Sequence, residues 1–225
     1  MTHASNILLY HCMSARSFRA LWMLEELDLR YELKLLAFPP RVHAREFLNV
    51  NPLGTVPALI IGDMLMTESA AICEHLAARF GEGRLTVRED AANFGAYLNW
   101  LHYGEATLTF PQTLLLRYGR FEPAERRSPQ IVEDYTRWFL ARLRAVEKAV
   151  GLSEFLCGER FTAADVSVGY ALMLANYLDL TDRLPVPVVD YWNRLNVRKG
   201  FTQALAKQEK EAITQGVSTI PAPLL

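Results

Sequence analysis

The sequence predicts an α/β N-terminal domain, ordered β-α-β-α-β-β-α around a small mixed sheet over residues 1–81. An all-α domain follows over 89–225, with 82–88 as linker. Three observations carry this. Through residue 81 the hydrophobic period switches repeatedly between two and 3.6. Strand signals stop within GEGRLTVR (81–88), and beyond it apolar residues recur at helical spacing.

NILLY (6–10) is a short apolar run that reads as a strand. SFRALWMLEEL (17–27) places Phe18, Leu21, Trp22 and Leu24 close to helical spacing, and YELKLL (31–36) alternates as a strand does. VHAREFLNV (42–50) is a short helix candidate. PALII (57–61), the Gly62-Asp63 turn and MLM (64–66) form a hairpin. ESAAICEHLAARFG (68–81) is helical, with Gly81 as its C-terminal cap. A helical crossover between the first two strands makes that pair parallel, and the hairpin adds an antiparallel pair.

In the second half, EDAANFGAYLNWLHYGEATL (89–108) carries Phe94, Tyr97, Leu98 and Leu101 on one face, and Pro111 is expected to kink or end that helix. SPQIVEDYTRWFLARLRAVEKAV (128–150) is a second long helix. FTAADVSVGYALMLANYL (161–178) is apolar nearly all round, so it belongs at the centre of its domain. Thr162 and Asp165 have capping-box spacing, which makes Asp165 structural rather than a catalytic acid, and Phe161 can staple onto Val166.

The charge balance of 24 Lys+Arg against 25 Asp+Glu gives no field that would recruit nucleic acid or an anionic membrane. The start MTHASNILLYH has no basic segment followed by a long apolar one, and no apolar run approaches the ~18 residues of a membrane span. A cytoplasmic protein is the expectation. Cys12, Cys73 and Cys157 are odd in number and widely spaced, which argues against a disulfide framework, a bound metal or dithiol chemistry.

Three motifs, NPLGTVPALI (51–60), TESAAICEHL (67–76) and FTAAD (161–165), stand in an order and spacing that resembles the cytosolic glutathione S-transferase superfamily. The resemblance implies a thioredoxin-like first domain and glutathione as co-substrate, with no metal. It also implies detoxification chemistry on a small hydrophobic electrophile, in a homodimer. Alone, the sequence reads Val56-Pro57 as trans; the resemblance makes it cis, turning Val56's amide and carbonyl toward the cysteinyl part of glutathione. Glu68 and Ser69 open a helix whose free amides and partial positive charge suit the γ-glutamyl carboxylate, while Glu68 meets the ammonium. The same two residues also read as ordinary cap and dipole partners. For the glycine carboxylate, FPPRVHAREF (38–47) supplies Arg41, His43 and Arg45, each of which also reads as part of a solvated face.

The resemblance implies that the stretch YHCMSARSFRALWMLEEL (10–27) holds the thiol-activating position. Against the zeta-like pattern SSCSxR, Ser14 falls on the first serine and Arg19 on the arginine, and theta- and omega-like patterns also converge on Ser14. The resemblance is thus to bacterial-type members with a theta/zeta-like serine site. A hydroxyl donating to the sulfur stabilises thiolate over thiol without itself ionising. Ser17 is the next candidate, though placed to cap the first helix; Arg16 is positioned to add positive potential. Cys12 is the rival nucleophile, through a mixed disulfide with glutathione, and Tyr10 reads as core. SARS in place of SSCS puts the isomerase activity of zeta-like members in doubt.

For the second substrate, Tyr103, Thr107 and Phe110 form a stripe at i, i+4 and i+7, with His102, Arg117 and Tyr118 nearby; such a stripe is more often plain core. Two rival functions remain at this stage: a non-catalytic binding or regulatory module that keeps the fold, and a Cys12-dependent glutathione thiol transferase.

Overall fold

The computed structural model describes residues 6–225, so the first five positions of the 1–81 domain lie outside the described residues. The elements are β1 (Ile7–His11), α1 (Phe18–Glu26), β2 (Glu32–Leu35), α2 (Pro40–His43), β3 (Ala58–Ile61), β4 (Met64–Met66) and α3 (Ser69–Phe80). They continue with α4 (Phe94–His102), α5 (Phe110–Leu116), α6 (Pro129–Val150), α7 (Ala163–Tyr177), α8 (Val186–Asn196) and α9 (Lys199–Thr214). VHAREFLNV does not make one helix: α2 stops at His43 and a 3-10 turn follows over Arg45–Asn49.

The chain divides into two compact units, one running to Phe80 and rejoined by Arg198–Leu224, the other Gly81–Val197. The 27 residues Arg198–Leu224 thus lie with the first unit, although the sequence reading placed them in the helical domain. The physical reason is a set of buried contacts from α9. Phe201 packs edge-on against Trp22 and Phe18, with ring centroids 4.9 and 5.4 Å away. Arg198 makes a two-pronged ion pair with Glu26, both bonds 2.9 Å.

The first unit holds a four-stranded sheet in the order β2-β1-β3-β4, with β1 parallel to β2 and antiparallel to β3, and β3 antiparallel to β4, the mixed sheet expected. β2 alternates exposed and buried along its length. Its outer edge would present unpaired backbone groups, a template for another strand. Here Gln215, just after α9, accepts from Leu35 N–H at 2.9 Å and donates to Leu33 C=O at 2.8 Å, so one side-chain amide completes the ladder. α1 is buried from Phe18 to Leu24 and packs on α3 and α9. α3 does not end on a left-handed Gly81; the left-handed residues are Glu82 and Gly83.

In the second unit, α4 ends at His102, well before Pro111, which lies in the first turn of α5. A π-helical segment over Tyr103–Thr109 joins α4 to α5, and a second π turn covers Arg117–Phe121. The wider i→i+5 turn relieves the clash and the missing donor that proline brings to an α-helix, and Thr109 Oγ1 donates to Gly104 C=O at 2.8 Å within it. A Cβ on Gly104 would sit 2.4 Å from Ser167 Oγ and 2.5 Å from Ser167 backbone, so the glycine lets the π segment lie directly on α7. α7 is buried from Ala163 to Ala175, central as expected. Its capping box is formed: the Asp165 carboxylate accepts from Thr162 N–H at 2.8 Å. It also accepts from Leu156 N–H at 3.0 Å and from the Tyr191 hydroxyl at 2.7 Å. Burial pushes its carboxyl pKa up, and these hydrogen bonds oppose the rise. Asp165 is structural.

Candidate active site

The register of the sheet sets Tyr10, near the end of β1, opposite Ala58, the first residue of β3. The loop 12–17 and the turn 54–57 therefore leave the sheet at the same end. α1 follows that loop directly, and Arg19 in its first turn donates from Nη1 to Ser69 Oγ at 3.3 Å, which ties the start of α3 to the same place. Three backbone segments that the sequence motifs singled out converge there.

In the loop, Ser14 is fully buried and left-handed, at φ 53°. A non-glycine residue there carries strain of about 1–3 kcal/mol that the surroundings must hold. Gln208 of α9, itself buried, does this: its Oε1 accepts from Ser14 N–H at 2.9 Å and its Nε2 donates to Ser14 Oγ at 3.1 Å. His11 Nε2 lies 2.9 Å from the same Oε1, and His11 Nδ1 is 2.7 Å from Ser17 Oγ. Ala222 N–H donates to Met13 C=O at 2.7 Å, so the C-terminal tail braces the loop from a second side.

Ser17 corrects an expectation. It stands at the N-cap position of α1 in helical geometry and makes no side-chain cap bond, because its hydroxyl is engaged by His11 and, at 3.4 Å, by Cys12 N–H. Cys12 is a second correction as a nucleophile. It is buried in a core cluster with Tyr10, Phe47 and Ala222, and burial pushes its thiol up to about 12. At neutral pH it is a thiol, not a thiolate. Tyr10 is core, its ring 5.1 Å from that of Phe47. Arg16 is half-buried beside Ser17.

The turn 51–57 is built around Asn51, whose side chain donates to Thr55 C=O at 2.8 Å and accepts from Leu53 N–H at 3.1 Å. Gly54, left-handed at φ 59°, presses on Arg41: a Cβ there would come within 2.7 Å of Arg41 Cβ. That contact seats α2, with exposed Arg41 and His43, beside the turn; Arg45 is exposed in the next turn. The Val56-Pro57 bond is cis. Val56 is half-buried, and its amide and carbonyl have no partner among the described residues. Glu68 is exposed immediately before α3, and Ser69 is buried as its first residue.

The electrophile stripe is only partly gathered. An open groove of about 300 Å³ in the second unit is lined by Leu98, Asn99, His102, Tyr103, Ala106 and Thr107. Phe110 and Arg117 are not in it. The stripe assumed α spacing, and the π segment takes in extra residues per turn, so the phase slips before residue 110. Phe110 projects with 54% of its surface exposed, and Arg117 pairs with Glu122 at 2.8 Å beside Tyr118. The Tyr103 hydroxyl donates to Arg142 C=O at 3.0 Å.

The family model for the glutathione S-transferase N-terminal domain matches residues 5–78. Glutathione S-transferase 3 of Schizosaccharomyces pombe is 27% identical, the match covering 92% of this chain and 90% of that protein. Glutathione S-transferase 4 of Zea mays is 30% identical, across 80% of this chain and 82% of that protein. The chain belongs to the glutathione S-transferase family. A glutathione transferase from Phanerochaete chrysosporium, solved with oxidized glutathione, has the same fold at a TM-score of 0.81; it is 22% identical and the match covers 95% of this chain and 99% of that one.

In this transferase, Gln208, His11 and Asn51 are the residues that sequence reasoning passed over. For Asn51 a signal existed, since an Asn before Pro-x-Gly suits an Asx turn. For Gln208 none did, because 194 residues separate it from Ser14. The pocket around His11 makes one measurable statement. Burial holds the imidazole down to about 4 from its ordinary 6.5, so the unfolded chain takes up the proton first. Stability is then intact above pH 6.5 and declines as pH falls through the window toward 4. The difference of about 2.5 units corresponds to a loss of roughly 3 kcal/mol. Urea unfolding at pH 7 and pH 4.5 should show the decline in the wild type and a shallower one in His11→Gln; equal slopes would refute the assignment.

Proposed function

We propose that this transferase binds glutathione across the end of the sheet where loop 12–17, turn 54–57 and the start of α3 meet. There it lowers the pKa of the tripeptide's thiol through Ser14 and directs the thiolate at a small hydrophobic electrophile. The observation that supports this best is the convergence itself: the loop that carries Ser14, an amide and carbonyl at Val56 with no partner among the described residues, and a helix N-terminus at Ser69 lie together. Glutathione offers the complementary groups in the same order. Its sulfur goes to Ser14, its cysteinyl backbone to Val56 after Pro57, and its γ-glutamyl end to Ser69 and Glu68. Arg41 and His43, exposed beside the turn, are the candidate donors to the glycine carboxylate. Because Ser14 presents no surface, a sulfur that reaches Oγ displaces what now covers it.

Dropping a thiol from about 8.5 to about 6.5 takes roughly 2.7 kcal/mol, within the scale of one charge-assisted hydrogen bond plus a helix dipole. The electrophile is apolar and small, with aryl halides, enones, isothiocyanates and lipid hydroperoxides as the classes to try. We take the enzyme to work in the cytoplasm as a homodimer. The test is retention on immobilised glutathione followed by turnover with a chlorodinitrobenzene and with a mixed disulfide of glutathione. Retention with aryl-halide turnover is expected. Retention with no turnover identifies a binding module, and disulfide reduction alone identifies a thiol transferase.

A further inference from the structure

The loop at the thiol end of the site offers a ligand almost no surface, since Met13, Ser14 and Ala15 are all buried. Within the first unit two elements lie on it. One is α9, which reaches the loop through Gln208 and is fastened elsewhere by Phe201 against Trp22, by Arg198 on Glu26 and by the following Gln215 on the edge of β2. Lifting α9 would break all of these. The other is the tail. It leaves α9 through Gly216, left-handed at φ 66°, a conformation that costs a glycine little. Ser218, Thr219 and Ile220 are exposed, and among the described residues nothing from 218 to 221 makes a hydrogen bond outside the tail; Ile220 N–H goes to Ser218 Oγ at 3.2 Å. The tail returns to the sheet at Ala222 and Pro223, both buried. Ala222 N–H donates to Met13 C=O at 2.7 Å, and its methyl joins Tyr10, Cys12, Ala15 and Phe47 in the cluster against which Val56 packs. A peptide segment of the chain itself is thus paired with the loop that the tripeptide must reach.

We infer that residues 217–224 form a strap that closes the glutathione site in the free enzyme and swings off about Gly216 when the tripeptide binds. This rests on the glutathione pose proposed above. Ala222 gives the strap a light hold, a methyl group and a backbone hydrogen bond, while Ile220 and Leu224 stay exposed on either side. Segments with few buried contacts open at free energies far below that of global unfolding. A ligand that binds the open state alone draws the strap off by mass action, and its apparent affinity is the intrinsic one reduced by the open fraction.

Amide hydrogen exchange of the full-length enzyme, read residue by residue with and without saturating glutathione, tests this. Ligands ordinarily slow exchange where they bind. Val56 N–H, which faces the cysteinyl part in the proposed pose, should slow, while Ala222 N–H should exchange at least about tenfold faster as its bond to Met13 is lost. Val56 slowed with Ala222 unchanged or slowed overturns the strap and leaves the glutathione pose standing. If Val56 does not slow, the pose itself has failed, and the strap falls with it. A chain ending at Val217, which keeps Gln208 and Gln215, should bind glutathione about tenfold more tightly by calorimetry, because no closed state competes. Equal or weaker binding by that chain, folded, overturns the inference. Should it not fold, Ala222→Asp decides: a carboxylate in the apolar cluster should expel the full-length strap and give the same gain, and wild-type or weaker affinity in Ala222→Asp refutes the scheme.

Discussion

Ser14→Ala is expected to cut turnover about 10- to 1,000-fold at neutral pH while glutathione affinity stays within a few-fold. Affinity survives because Val56, Glu68 and Ser69 hold the rest of the tripeptide in the proposed pose. Turnover falls because each unit by which the bound thiol's pKa rises depletes the thiolate tenfold below that pKa. The loss should shrink as pH climbs, and above the variant's own midpoint the two enzymes should converge. Cys12→Ser in the same assays should leave the midpoint in place, as its thiol is buried and held near 12. The opposite pattern, with Cys12→Ser inactive and Ser14→Ala intact in rate and midpoint, would make the protein's own sulfur the nucleophile. An unmoved midpoint in both would leave thiol activation to the start of α1 and to Arg16.

The largest stability effect is expected at Asp165. Its carboxylate is the shared acceptor for Leu156 N–H, Thr162 N–H and the Tyr191 hydroxyl, all buried. Asp165→Ala removes the acceptor and leaves those donors dry, at about 1–3 kcal/mol each. A destabilisation of about 3–5 kcal/mol is therefore expected, with the melting temperature lowered by about 10 °C or more. Asp165→Asn keeps one carbonyl oxygen for the donors and should fall between the two. Calorimetry settles the point: a variant that melts like the wild type yet has lost turnover would return Asp165 to a catalytic role.

What the chain determines locally was legible in its residues. β2 showed its alternation, α7 its all-round apolar surface, and Thr162 and Asp165 their capping box, since each depends on neighbours within a few positions. The geometry at Val56-Pro57 was not legible in the same way: the residues alone read that bond as trans, and only the family resemblance made it the cis bond the structure has. The π segment before Pro111 was not legible, because α and π turns differ by one residue of hydrogen-bond register, and the close approach of Gly104 to Ser167 of α7 is a tertiary contact that no local pattern shows. Nor was the place of α9, whose amphipathic pattern says that it packs but not on what. Only the fold brings Arg198 to Glu26, Gln215 to the edge of β2 and Gln208 to Ser14. Side-chain amides at one end of the chain there satisfy backbone groups at the other, and no local pattern specifies a hydrogen bond across 194 residues.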